Sequence, residues 1–330
     1  MRDILNYLFE FKRLTIQEAE DILIEIAGGK HSDAEIAAFI TVFNMRTISI
    51  DELAGFRNAL LKICIPIDLS DFNTIDLCGT GGDGKDTFNI STLSAFVVAG
   101  AGAKVAKHGN YAASSGCGSS NVMEHLGYKS SNSHDRLRKE LSDCGITFLH
   151  APLFNPAMKN VAPVRRALRL KTFFNMLGPM VNPSRPQNQV VGVFSLELAR
   201  MYNYLYQKSD VNYCIIHSLD GYDEISLTGD FKVLTKKTDS ILTPLLLGMP
   251  VVKAEELAGS GDVPGTAAIF MKVLNGKGTT AQNSVVIANS AMALTTYFPE
   301  KGIEECLEEA KSSLLGGKAL RVFTRLISLQ

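Results

Sequence analysis

The sequence predicts an α/β protein in two parts, a small N-terminal helical domain and a larger α/β domain whose mainly parallel central sheet is covered by helices. Residues 1–70 show only the apolar spacing that is typical of amphipathic helices. From Thr74 onward, short strands rich in β-branched residues alternate with helical segments, which indicates a parallel sheet. These strands are continuous apolar runs, as expected when both faces of a sheet are buried.

Three capping boxes predict the helices of the first domain. In each box a hydroxyl side chain and a glutamate three positions later satisfy backbone N–H groups that have no partner within the helix. An apolar stripe at helical spacing follows each box, and Gly28 and Gly29 predict the end of the first of these helices. The boxes are Thr15 with Glu18, Ser32 with Glu35, and Ser49 with Glu52.

We expect the helical domain to end near Pro66–Asp71. Three short apolar stripes exceed what one small bundle can bury, so we predict a symmetric contact between the N-terminal helices of two copies.

The second domain is predicted to contain at least five parallel strands separated by helices. Helices are expected from about Ser91 to Gly102 and over Asn121–Leu126, and residues from Lys253 to Gln330 read as mostly helical. Residues 224–227 and 230–234, joined by Thr228 and Gly229, are predicted to form an antiparallel excursion. The predicted strands are Thr74–Cys78, Lys104–Lys107, Ile146–Leu149, Val190–Phe194 and Val211–His217.

Composition excludes several classes of protein. The 330 residues include 33 Lys+Arg and 34 Asp+Glu, a net charge of −1, which argues against a protein built to coat nucleic acid or an anionic membrane. The most apolar stretch, residues 95–103, is far shorter than the roughly 20 residues needed to span a bilayer. Six scattered cysteines without C-x-x-C spacing predict reduced thiols and a cytoplasmic protein.

A glycine cluster at residues 79–84 follows the first predicted strand and precedes the helix near Ser91. Glycines let backbone N–H groups approach an anion, and a helix N-terminus adds partial positive charge, so this order favours a phosphate site. A tight turn without a ligand is the alternative. The dinucleotide pattern G-x-G-x-x-G is only weakly approximated, and no G-K-[ST] ends the run as in a nucleotide-binding P-loop.

A second polar loop, from Lys107 to Ser120, follows the next predicted strand. Ligands of open α/β sheets bind at the carboxyl ends of the strands, so two such loops on neighbouring strands favour one anion site over two exposed loops.

Two charged pairs stand in predicted loop and helix segments. Asp223 and Glu224 are either solvated acids or ligands of Mg²⁺, which takes one or two carboxylates together with substrate phosphates. Arg165 and Arg166 are either solvated or suited to bidentate capture of a carboxylate.

Four motifs in order resemble the anthranilate phosphoribosyltransferase family: GTGGDGKDTFNIST from Gly79, KHGN from Lys107, APVRRAL from Ala162 and DGYDEIS from Asp220. The likeness covers nearly the whole chain. It implies the fold shared with pyrimidine nucleoside phosphorylases, usually as a homodimer, with a helical domain over residues 1–70 and a phosphoribosyl-diphosphate-binding α/β domain over residues 71–330. It also implies that residues of about 155–183 pack back onto the helical domain.

The resemblance implies that the amine of anthranilate displaces diphosphate from 5-phosphoribosyl diphosphate in tryptophan biosynthesis, with Mg²⁺ as cofactor. It implies no catalytic acid or base, and electrostatic stabilisation by Lys107. Anthranilate would contact Gly79, Asn110 and Arg165, and the metal would contact Ser91, Asp223 and Glu224. The residues implied to bind phosphoribosyl diphosphate are Gly79, Gly82, Asp83, Thr87, Asn89, Ile90, Ser91, Thr92, Lys107, His108, Gly109, Asn110, Ser114, Ser115 and Ser119.

Departures from the family pattern concentrate on the acceptor side. Tyr111 replaces a usual Arg, Asn121 a usual Asp, Asn155 a usual His and Leu245 a usual Glu. A phosphoribosyltransferase for another aromatic acceptor, a pyrimidine nucleoside phosphorylase and a non-catalytic nucleic-acid-binding relative therefore remain alternatives.

Overall fold

The structure is a computed structural model that describes residues 1–111 and 116–330. Its seven strands are β1 (Thr74–Gly79), β2 (Lys104–Gly109), β3 (Ile146–His150), β4 (Asn188–Gly192), β5 (Asn212–Ser218), β6 (Phe231–Thr235) and β7 (Asp239–Leu242). Its α-helices, within the same described ranges, are α1 (Arg2–Phe9), α2 (Ile16–Ala27), α3 (Asp33–Met45), α4 (Ile50–Ile63), α5 (Ile90–Gly100), α6 (Ser119–His125), α7 (His134–Cys144), α8 (Ala151–Phe154), α9 (Ala162–Leu168), α10 (Phe174–Leu177), α11 (Leu196–Gln207), α12 (Val263–Leu274), α13 (Thr280–Tyr297), α14 (Ile303–Leu315) and α15 (Lys318–Ser328).

The chain divides into two units. One unit is helical and combines Met1–Ile67 with Ala151–Pro183, so the segment that contains α8, α9 and α10 packs with the N-terminal helices. The other unit combines Asp68–His150 with Ser184–Gln330 and holds the whole sheet.

Capping chemistry starts the helices of the helical unit as the sequence predicts. All three capping boxes form, and α2 ends at Ala27 with Gly28 as its C-cap. Helix α1 precedes these three helices and has no side-chain cap, so the sequence contains no capping box that could predict it. Gly55 lets α4 approach α2 closely, because a Cβ there would lie 2.3 Å from the carbonyl oxygen of Ile16.

A cluster of phenylalanines forms part of the core of the helical unit. Phe39 and Phe43 of α3 meet Phe56 of α4 and Phe173 with ring centroids between 4.4 and 6.3 Å apart. Phe173 lies in the segment Ala151–Pro183, so this segment contributes to the aromatic core of the helical unit.

The sheet of the α/β unit has the strand order β3-β2-β1-β4-β5-β6-β7. The first five strands are parallel and β6 and β7 are antiparallel, which confirms the predicted, mainly parallel sheet. In register, Gly79 pairs with Gly192, so the carboxyl ends of β1 and β4 lie side by side. Helices α5 and α13 pack in contact with this sheet, and α13 also contacts α5.

The antiparallel excursion differs from the prediction. Residues 230–234 lie in β6 as expected, but the strand predicted over 224–227 is wrong, and the second partner of β6 is β7. Leu227 adopts a left-handed φ of 58°, which breaks an extended strand. The backbone N–H and C=O of Ile225 hydrogen-bond to the side chain of Asn289 instead of joining a ladder.

No helix in the described ranges is both long enough and apolar enough to cross a bilayer. All six cysteines are free thiols, and only Cys78 is not fully buried.

Candidate active site

The candidate site lies in the α/β unit, where β1, β2 and β4 end. Lys107 of β2 is 2% exposed, and its ammonium group donates hydrogen bonds to the carbonyl of Leu77 and, at 3.4 Å, to Oγ of Ser91. Ser91 follows the first residue of α5 and lines one small cavity together with Asp223 and Glu224. The structure thus brings together Lys107, Ser91 and Glu224 from three separate sequence motifs.

Asp223 is buried against two glycines at the strand ends. Its carboxylate accepts a hydrogen bond of 2.6 Å from the N–H of Gly81. A Cβ on Gly79 would lie 2.5 Å from Oδ2 of Asp223, and one on Gly192 would lie 1.5 Å from its carbonyl oxygen. Glycine at both positions is therefore what lets the acidic loop reach the glycine cluster.

Folding places these acids in an unfavourable electrostatic environment. Burial, together with the charges of Glu224 and Asp83, raises the pKa of Asp223 well above its usual range. Burial also raises the pKa of Glu224 to about 7, although the charge of Lys107 acts in the opposite direction. Carboxylates held close in spite of repulsion gain most from a bound cation.

These residues fit a magnesium ion that is shared with a phosphate ligand. No group of three or more His, Cys, Asp or Glu side chains in the described ranges is arranged to hold a metal by itself. Magnesium is, however, commonly bound by one or two carboxylates and substrate phosphates. Asp223 and Glu224 would supply the two carboxylates and Ser91 a hydroxyl, and all three line one small cavity.

The glycine cluster turns sharply between β1 and α5. Gly81 and Gly82 have φ of 65° and 78°, a backbone region that strongly favours glycine. The carboxylate of Asp83 accepts a hydrogen bond of 3.1 Å from the N–H of Lys85. Thr87 forms an isolated antiparallel bridge with Ala258, which fixes the second half of the loop.

Three buried polar atoms near this turn have no hydrogen-bond partner among the residues that the structure describes. They are the hydroxyl oxygens of Thr80 and Thr92 and the side-chain oxygen of Asn89. Thr92 is completely buried on α5, next to Ser91, and Ile90 is buried at the start of that helix. Buried polar atoms without partners are costly, so such a group of them is typical of a site that a polar ligand completes.

The KHGN motif spans the end of β2. The N–H of His108 donates a 3.0 Å hydrogen bond to Asp76 of β1. The carbonyl of Asn110 accepts hydrogen bonds from the N–H of Ser120 and from Oγ of Ser119. A Cβ on Gly109 would lie 2.5 Å from Oγ of Ser119, so a larger residue there would push the Ser119 hydroxyl aside. Ser114 and Ser115, the remaining predicted members, lie outside the described residues.

Arg165 lies in α9 of the helical unit. Its guanidinium stacks over the ring of Phe174 at 5.0 Å, and burial lowers its pKa. Within the described ranges no carboxylate forms an ion pair with it, whereas Arg166 is exposed. Asn155 is buried in the same unit, and its side-chain oxygen has no hydrogen-bond partner among the described residues.

Sequence reasoning missed two residues of the site, Asp76 and Thr80. Asp76 is completely buried in β1 and holds the backbone of His108, and Thr80 follows the end of β1. The available signal was an aspartate inside an apolar strand, because such an acid is kept only where it finds partners.

The comparisons with known proteins agree with this geometry. Residues 2–64 match the helical bundle domain of the glycosyl transferase family, and residues 71–320 match its a/b domain. An anthranilate phosphoribosyltransferase of Flavobacterium psychrophilum is 58% identical over 329 residues, 100% of this chain and 99% of the relative.

Two solved structures are also similar. The anthranilate phosphoribosyltransferase of Thermus thermophilus has a TM-score of 0.91 and 30% identity, covering 98% of each chain. The Saccharomyces cerevisiae enzyme, in complex with PRPP and Mg, has a TM-score of 0.90 and 26% identity, covering 98% of this chain and 96% of that one.

Proposed function

Because the chain belongs to the anthranilate phosphoribosyltransferase family, we propose that it transfers the phosphoribosyl group of 5-phosphoribosyl diphosphate to anthranilate in tryptophan biosynthesis. The bond between the anomeric carbon and diphosphate breaks, and a bond to the anthranilate nitrogen forms. The nitrogen loses a proton and diphosphate leaves. The observation that carries this proposal is the junction of Lys107, Ser91 and the acidic pair at the strand ends.

The α/β unit binds the donor. Backbone N–H groups of the glycine cluster and the start of α5 face anionic phosphate oxygens, for which a helix N-terminus is favourable. Thr92 and Asn89 offer buried polar atoms that a ligand can satisfy. The donor contacts are Gly79, Gly82, Asp83, Thr87, Asn89 to Thr92, Lys107 to Asn110, Ser114, Ser115 and Ser119.

Asp223, Glu224 and Ser91 hold Mg²⁺ together with the diphosphate. The bound ion neutralises charge that develops on the leaving group. Lys107 adds a fixed positive charge that is already oriented by its hydrogen bonds to Leu77 and Ser91. Preorganised charges of this kind stabilise a transition state without reorganising during the reaction.

Arg165 binds the carboxylate of anthranilate as a planar guanidinium fork. Its stack on Phe174 limits its motion, and its partial burial strengthens a charge-assisted hydrogen bond to an anion. The family resemblance also implies acceptor contacts at Gly79 and Asn110. We assign no acid or base, because an aromatic amine loses its proton readily after the new bond forms, and positioning alone contributes several kcal/mol.

The assembly we propose is a homodimer formed through the helical unit, with residues 1–70 and about 155–183 acting as one domain. Exposed apolar side chains on α1 and α3 support it: Phe9 is 59% exposed and Met45 79%. A cytoplasmic location is supported by the six free thiols.

The test uses purified full-length protein, anthranilate, phosphoribosyl diphosphate and Mg²⁺. Anthranilate fluorescence should fall only when all three small molecules are present. A steady signal with folded protein would reject the proposal, and consumption of another aromatic amine in place of anthranilate would redirect it to a different acceptor.

A further inference from the structure

Asn289 is a buried amide on a mostly apolar stretch of helix. It lies in α13, is 4% exposed, and is flanked by residues such as Ala288 and Val285 that are completely buried. An amide in such surroundings is tolerated only if its hydrogen bonds are made. Its partners therefore indicate why this helix carries it.

The side chain of Asn289 binds both polar groups of one backbone residue. Its oxygen accepts a 3.0 Å hydrogen bond from the N–H of Ile225, and its nitrogen donates a 2.9 Å bond to the carbonyl of Ile225. A third bond, also 2.9 Å, goes to the carbonyl of Val285 in the preceding turn of α13 and fixes the rotamer. The side chain of Asn289 thus makes the two backbone hydrogen bonds that a neighbouring strand would otherwise make to Ile225.

Ile225 directly follows Glu224, so this clamp acts on the acidic loop. On the other side, Oγ of Ser218 donates a 2.7 Å hydrogen bond to the carbonyl of Glu224. The backbone of Glu224 is therefore held from β5 and from α13. Asn289 also lines the same small cavity as Asp223 and Glu224.

We propose that Asn289 is a positioning residue that holds the Asp223–Glu224 pair in the geometry that binds a divalent cation. The inference rests on the proposed function, because it assumes that these carboxylates take a metal together with the donor. Asn289 acts through the backbone of Ile225. It fixes the direction in which Glu224 leaves the backbone, so that the Glu224 side chain enters the cavity that Ser91 also lines.

The experiment measures Mn²⁺ binding by electron paramagnetic resonance on full-length protein, with phosphoribosyl diphosphate present and no acceptor. Asn289→Ala should weaken Mn²⁺ binding about 10- to 100-fold, the range typical when a residue that orients a metal ligand is removed. Turnover of the variant should recover at high Mg²⁺. Asn289→Ser, a milder change whose hydroxyl is too short to reach both groups of Ile225, should fall between the wild type and Asn289→Ala.

The matched control is Ser290→Ala on the next residue of α13. Ser290 is likewise buried, but among the described residues its hydroxyl bonds only within the helix, to Val286 at 2.7 Å. It should bind Mn²⁺ as the wild type does, even if it unfolds at a lower temperature.

Two results would overturn the inference while leaving the proposed function in place. One is wild-type Mn²⁺ affinity in a folded Asn289 variant, and the other is an equal loss of affinity in Ser290→Ala. If Asn289→Ala does not fold, the Asn289→Ser titration decides. Failure of the wild type to bind Mn²⁺ or to consume anthranilate would instead contradict the proposed function together with this inference.

Discussion

At the level of single residues, Asp223 and Glu224 lower the stability of the folded protein when they ionise, yet the proposed metal site needs them ionised. From the sequence, both acids could have been a solvated surface pair. In the structure Asp223 is 7% exposed, and the pKa of each acid is raised by burial. Ionising such groups in the folded state opposes folding, so their retention is best explained by a ligand that compensates the charge.

Glu224→Gln should therefore abolish metal-dependent turnover and yet raise stability at high pH. The folded pKa of about 7 exceeds the ordinary value of 4.5, so the folded protein binds more protons than the unfolded chain between these two pH values. Wild-type stability is accordingly lost as pH rises through 7, and the neutral variant escapes this loss.

Thermal unfolding in metal-free buffer at pH 5 and pH 8 checks this expectation. The variant should gain over the wild type mainly at pH 8. A variant that unfolds earlier than the wild type at pH 8, or that retains metal-dependent turnover, would mean that Glu224 has no such role.

The variant Arg165→Lys should weaken binding of the acceptor, anthranilate, without changing binding of the donor, phosphoribosyl diphosphate. Lysine offers a point charge without a planar pair of donors, and loses the stack over Phe174. A lost charge-assisted hydrogen bond costs roughly 1.5–3 kcal/mol, about 10- to 150-fold in anthranilate affinity. Affinity for phosphoribosyl diphosphate should barely change.

Separate titrations of acceptor and donor on each variant measure the effect. The matched control is Arg166→Lys, because Arg166 is the exposed neighbour in the same helix. If Arg165→Lys weakens binding of the donor and leaves binding of the acceptor unchanged, the assignment of Arg165 to the acceptor is wrong.

At the level of elements, the acidic loop can approach β4 closely because residue 192 is a glycine and has no side chain. A Cβ on Gly192 would lie 1.5 Å from the carbonyl oxygen of Asp223, and backbone cannot yield as a flexible side chain can. Gly192→Ala should therefore displace the loop, reduce turnover by roughly 100-fold or more, as misplacement of reacting groups by about 1 Å does, and weaken metal binding.

Gly229→Ala is the matched control, since a Cβ there meets nothing within 4 Å and its φ is not positive. Steady-state rates over a range of Mg²⁺ concentrations compare the two variants. Near-wild-type rates for Gly192→Ala would show that the loop does not need this approach for function.

Elements whose signal is local could be predicted from the sequence. The capping boxes fixed the starts of α2, α3 and α4, because a hydroxyl and a glutamate three positions apart have few other uses. The parallel strands were also predictable, since a continuous apolar run leaves little alternative in a βα pattern.

Elements that depend on distant residues could not be predicted. Residues 224–227 resemble a strand locally, but Asn289, 64 positions from Ile225, takes the hydrogen bonds that a strand would need. Likewise, the role of Asp76 could not be predicted from the sequence. Its partner, the N–H of His108, becomes its neighbour only when β1 pairs with β2.

For the whole molecule, we expect a dimer. Phe9 of α1 and Met45 of α3 are 59% and 79% exposed, and these two helices are in contact. Apolar groups in water favour association, so sedimentation at micromolar concentration should show a dimer. Phe9→Glu combined with Met45→Glu should shift it to a monomer.

Leu245→Glu serves as the control for added charge. Leu245 is 82% exposed in the α/β unit, so its variant should sediment as the wild type does. A wild-type protein that is monomeric at micromolar concentration would reject the predicted dimer.

The stoichiometry of the reaction tests the central claim most directly. Anthranilate consumed and diphosphate released are measured in the same sample, with phosphoribosyl diphosphate and Mg²⁺ present. We expect one diphosphate per anthranilate, and neither product nor release in Asp223→Asn/Glu224→Gln. Diphosphate release without loss of anthranilate, or unchanged turnover in the double variant, would contradict the proposed transfer.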